Sequence, residues 1–205
     1  MNAPLTAPGH TAYDPLLRFI HAWNALAIVG LIATSQVAEA LEHGGNEALA
    51  WTVHIQFGYA LVGGMVARLV WGLVGPANAR WSDLWHPREW AAMLRGRLSF
   101  ASRNGHDVRA SLVFLALYAV LAVMSLTGLA LAGIEHDTGP LAGLPGGETL
   151  EDFFEEPHEF GFALVLGFLG LHLGALAFHR FVLHAPVGHA MVGGAPHPQK
   201  EIHHA

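Results

Sequence analysis

The chain contains no cysteine in its 205 residues. That absence excludes disulfides, thiolate-bound zinc, cysteine-ligated iron–sulfur clusters, thiol catalysis and covalent C-x-x-C-H haem attachment. Charge is scarce as well. Only 13% of residues are Asp, Glu, Lys or Arg, where a soluble domain carries about 25%. Hydrophobic residues make up 53% and the mean hydropathy is +0.39, which points to lipid as the solvent for much of the chain. Against 10 Lys plus Arg stand 15 histidines, and this excess turns attention to imidazole chemistry. No internal repeat, low-complexity stretch or linker between two cores is present. Residues 1–185 therefore read as one all-α membrane domain, and 186–205 as a flexible tail with His189, His197, His203 and His204.

A helix needs roughly 20 mostly apolar residues to cross the hydrocarbon core, and lipid offers open backbone groups no partners. Four segments qualify, at about 16–37, 51–74, 110–133 and 160–183. A competing reading makes residues 19–40 a cleaved secretory signal, with Ala38-Glu39-Ala40 as the cleavage site. Its single Arg18 is offset by Asp14, and its apolar run is longer than the usual 7–15 residues, so a retained span is the better reading. Between residues 76 and 109 lie Arg80, Arg88, Arg95, Arg97, Arg103 and Arg109. Segments 38–50 and 134–159 hold no Lys or Arg and eleven acidic residues. The positive-inside rule then puts the 76–109 loop and both termini in the cytoplasm. Within that loop Trp81, Trp85, Pro87 and Trp90 predict a short interfacial helix over about 87–97.

Ionisable residues inside spans are functional candidates by default. His21, His54 and His172 fall within or just inside spans, His158 sits at the mouth of the fourth, and His179 lies two turns past His172. The topology sorts them by depth. His54 and His158 belong to the outer level, His21 and His172 to the inner one. His172 follows His158 by 14 residues, roughly 21 Å along a helix and within about 40° of the same face. Two imidazoles at each of two levels suit a pair of stacked bis-histidine b haems, six-coordinate and built for electron transfer. Zinc would want four ligands at one level, and neither level supplies them. Arg68 lies 14 residues after His54, and a buried Arg needs an anion such as a haem propionate. Arg18, one turn before His21, faces either the other propionate or a lipid phosphate. His179 can bond a propionate or a quinone, or replace His172 as ligand. Glycines at 58, 63, 64, 161, 167, 170 and 174 admit close approach of a helix or of a flat macrocycle. His10, His43, His86, His106, His136, His184 and His189 are expected in solvent.

Several strings together resemble the bacterial cytochrome b561 family, which is similar to the b-type cytochrome subunits of nickel–iron hydrogenases. They are Asp14-Pro15-Leu16-Leu17-Arg18-Phe19-Ile20-His21, His54 with Gly58-Tyr59, and Arg68-Leu69-Val70-Trp71-Gly72-Leu73-Val74-Gly75-Pro76. Ala79-Arg80-Trp81-Ser82-Asp83, Leu126-Thr127-Gly128, Pro157-His158-Glu159 and Leu171-His172 continue the match, which runs from about Tyr13 to Gly194. The resemblance implies a four-helix bundle with two b haems whose ligands carry over onto His21, His54, His158 and His172. It also implies electron exchange between a membrane quinone and a redox partner. Two departures stand out. His21-Ala22-Trp23 replaces an H-W pair, and His184-Ala185-Pro186-Val187 replaces a basic segment after the fourth span.

The leading expectation is an electron-transfer subunit between the quinone pool and a separate protein, either a periplasmic cytochrome c or a dehydrogenase- or hydrogenase-type partner. Acidic outer loops favour a basic carrier. A stand-alone superoxide:quinone oxidoreductase ranks second, since an acidic surface repels an anion. A non-redox transporter or assembly factor ranks third and would be colourless. The topology is open to direct test. Reporter fusions after Arg97 should signal from the cytoplasm and fusions after Glu148 from the periplasm. The reverse pattern would invert the depth of every histidine.

Overall fold

The computed structural model describes residues 14–41, 44–96 and 108–182 of the chain. The predicted tail, and with it His10, His43, His106, His184 and His189, lies outside the described residues. Among those described there are five α-helices and no strand: α1 (Pro15–Leu41), α2 (Ala48–Val74), α3 (Pro87–Leu94), α4 (Val108–His136) and α5 (Glu148–Phe181). Four of them, all but α3, are long and apolar enough to cross a membrane. Their outward faces are apolar: Leu73 is 66% exposed, Leu126 68% and Leu171 76%. Such a surface is at home in lipid and costly in water.

Asp14 starts α1 by accepting a hydrogen bond from Leu17 N at 3.0 Å, with Pro15 in the first helical position where its missing N–H costs nothing. The same Oδ2 accepts from the Trp71 indole at 2.9 Å, which ties the start of α1 to the end of α2. After α2, Arg80 Nε donates to Gly75 O at 2.7 Å, and two short 3-10 turns over Ala77–Ala79 and Trp81–Asp83 fold the chain back under the bundle. The interfacial helix forms as Pro87–Leu94, with Pro87 at its start and Leu94 84% exposed.

The fourth long helix departs from the sequence reading. It begins at Glu148, twelve residues before the predicted span. Hydropathy marks where lipid begins, not where a helix begins. Glu148 and Glu151 in its first turn complement the helix dipole, so the acidic run is helical too. Pro157 lies inside α5; its missing N–H leaves the Phe153 carbonyl without its helical partner.

Packing is uneven. α1 lies along α2 and α4 along α5, the two pairs meet through α2 and α4, and α1 and α5 make no more than marginal contact. One residue from each spanning helix builds the core: Ala27, Leu61, Leu121 and Val165, all 5% exposed or less. Neighbouring glycines on α2 show how tight the α1–α2 seam is. A Cβ on Gly64 would run into the Asn24 and Trp23 side chains, whereas one on Gly63 would meet nothing within 4 Å. Gly64→Ala should therefore destabilise the bundle by about 1–3 kcal/mol. Gly63→Ala should be neutral or slightly stabilising, as helix propensity dictates. Thermal unfolding in detergent reads both, and the opposite ranking would contradict this packing.

Candidate functional site

The four histidines singled out by depth lie on α1, α2 and α5, beside the opening left where α1 and α5 make no more than marginal contact. His54 on α2 and His158 on α5 stand within electrostatic reach of each other at the end of the bundle that carries the acidic loops. His21 on α1 and His172 on α5 do the same at the other end. Val165 lies midway between His158 and His172, two turns from each, so the apolar core cluster separates the two levels. His21 opens onto a groove of about 740 Å³ that also involves Arg18, Ala22, Ala25 and Val29.

The acidic-end pair is anchored by neighbouring helices. His54 Nδ1 lies 3.2 Å from Thr34 Oγ1 and 3.2 Å from the Leu31 carbonyl, both on α1. His158 Nδ1 lies 2.9 Å from Thr127 Oγ1 on α4, and the Met124 carbonyl bonds the same side chain. Gly128 leaves the space in which the His158 ring sits, since a Cβ there would come 3.0 Å from Cε1. At the other end His172 lies flat on Phe168, with ring centres 5.7 Å apart and planes 10° apart. No hydrogen bond among the described residues reaches the ring nitrogens of His21 or His172.

Arg68 is 5% exposed. It donates to the Ala79 carbonyl at 3.0 Å and lies 4.2 Å above the Trp81 ring, a cation–π contact that strengthens where water is excluded. Its Nε has no hydrogen-bond partner. His179 is half-buried on the same side of α5 as His172, beside Phe178.

The family model for prokaryotic cytochrome b561 matches residues 12–194. The chain belongs to the prokaryotic cytochrome b561 family. It is thus a multi-pass membrane cytochrome of the b type, a carrier of electrons. No curated protein and no solved structure matches it.

Two expectations for this cytochrome need correction. His86 is not in solvent: it is 8% exposed, precedes α3 and packs edge-on against Trp90. Gly167, Gly170 and Gly174 do not line the opening. They are exposed and meet nothing within 4 Å, and helical geometry turns them to the side of α5 away from His158 and His172. Of the seven glycines named from the sequence, Gly64, against Asn24, and Gly161, against Met124, admit close approach, while Gly58 and Gly63 also meet nothing within 4 Å. Sequence reasoning also missed Thr34 and Leu31, which no spacing rule marks. Thr127 and Gly128 were visible within the Leu126-Thr127-Gly128 string, but without a role.

Proposed function

We propose that this cytochrome holds two b haems, one at each histidine level, and passes electrons across the bacterial inner membrane between the quinone pool and a redox protein. The observation that carries the reading is that the four histidines fall at two levels, His54 within electrostatic reach of His158 and His21 within reach of His172. The donor set fits the group. Each level offers two imidazoles from different helices, and helices that barely touch leave room for a flat macrocycle between them. Held between two imidazoles, a b haem supplies one-electron iron chemistry with no open coordination position.

The chain's own residues do the rest. His158 and His172 set two redox levels roughly 21 Å apart on one helix. A hydrocarbon core is about 30 Å thick, so one level lies near each face. Arg68 brings a buried cation to the inner level, where its charge would favour a propionate; Nε is buried without a hydrogen-bond partner, and Ala79 and Trp81 hold the guanidinium in place. Arg18 lines the groove of His21 and serves the other propionate. The arginine-bearing stretch between α2 and α4 lies in the cytoplasm by the positive-inside rule. That orientation puts Glu135, Glu151, Asp152, Glu155 and Glu159 on the periplasmic side, a surface suited to a basic carrier such as a cytochrome c.

Quinol should reduce the purified red protein, or quinone reoxidise it, without any added enzyme. A basic carrier should then react at a second-order rate that falls as salt rises, because exposed charges are screened over about 8–10 Å near physiological ionic strength. Superoxide should show the opposite salt trend. Fast superoxide oxidation without any carrier reaction would make the protein a stand-alone oxidase. Inertness to quinol, quinone and superoxide alike would overturn the electron-transfer reading.

A further inference from the structure

We infer that Thr34 and Thr127 are paired positioning residues that fix His54 and His158 as Nδ1–H tautomers, turn both Nε2 lone pairs into the opening, and make the haem at that level the lower-potential one. The inference rests on the proposal that these histidines hold a haem.

The argument starts from the single proton of a threonine hydroxyl. Thr34 Oγ1 donates it to the Gly30 carbonyl at 2.7 Å, and Thr127 Oγ1 donates to the Val123 carbonyl at 3.0 Å. With the proton spent on the carbonyl one turn back, each hydroxyl oxygen faces imidazole Nδ1 as an acceptor. At His54 a second partner, the Leu31 carbonyl, lies 3.2 Å from the same nitrogen, and a carbonyl can only accept. The threonine oxygen at each ring, joined at His54 by Leu31, therefore demands a proton on Nδ1, which leaves Nε2 unprotonated and free to bind iron.

The two clamps repeat one pattern. In each, a threonine on a neighbouring helix meets Nδ1 of the ring while its own hydroxyl bonds the carbonyl four residues before it. An imidazole that donates from Nδ1 is a stronger base at Nε2. It stabilises ferric over ferrous iron, so the potential falls. His21 and His172 have no such partner among the described residues, and His172 rests on Phe168 instead.

The test uses the haem-loaded full chain, with each potential read by spectroelectrochemical titration. Thr34→Val and Thr127→Val should each raise the lower of the two potentials, by roughly a threefold to tenfold change in that haem's reduction equilibrium. The other potential should stay in place, and Thr34→Ser and Thr127→Ser should restore the original value. Loss of that one haem from a Val variant, with the Ser variant retaining it, supports the same positioning role. A shift of the higher potential, of both, or of neither overturns the inference, as does a Ser variant that behaves like Val. His158→Ala provides the control. If it removes the lower-potential haem while the Val variants shift nothing, the positioning role fails and the haem assignment survives. If it removes no haem, the assignment itself has failed.

Discussion

One helix face governs this structure. α5 carries His158 and His172 fourteen residues apart on nearly the same side, so both levels of the site hang on its continuity and on its distance from α1. A bundle packed evenly all round would close the opening. Here α1 is drawn to α2 and α4 to α5, and only α2 and α4 bring the pairs together. The core is correspondingly thin, with one small or aliphatic residue from each spanning helix at mid-height. That layer keeps the pairs in register and leaves the levels above and below it free for a cofactor.

The ends of the bundle are held by polar contacts instead. At the arginine-rich end Asp14 caps α1 and bonds Trp71 of α2, while Arg68 clamps the following turns through Ala79 and Trp81. Both contacts sit where His21 must be held without a hydrogen bond of its own among the described residues. At the acidic end the histidines are fixed directly, by Thr34 and Thr127. The two levels are thus supported by different means, one through helix termini and the other through ring nitrogens.

The long apolar runs made the four spans legible in the sequence, and simple depth counting is what proposes the pairing of the histidines. Helix ends were less legible. The twelve residues of α5 before the predicted span are acidic, so hydropathy could not see a helix that propensity and dipole terms support. Glycine content misled in part, because composition does not say which side of a helix a residue faces; Gly170 and Gly161 differ only in phase. His86 looked exposed because it sits in a loop, but it leads into α3 and packs against Trp90 one turn on. The threonine clamps were hidden because they are tertiary contacts. Thr34 and His54 meet only because α1 and α2 pack side by side, and nothing in the spacing of twenty residues announces it.

Everything proposed for this cytochrome depends on four histidines pairing at two levels. The most direct measurement is the haem-to-chain ratio of the purified protein, with the visible spectrum of what remains in each single His→Ala variant. Two haems per chain are predicted for the unaltered protein and one for each variant. The haem that survives in His54→Ala and His158→Ala should share one spectrum, and the haem that survives in His21→Ala and His172→Ala the other. One haem or none in the unaltered protein, or a shared spectrum between His54→Ala and His172→Ala but not His158→Ala, would contradict the pairing.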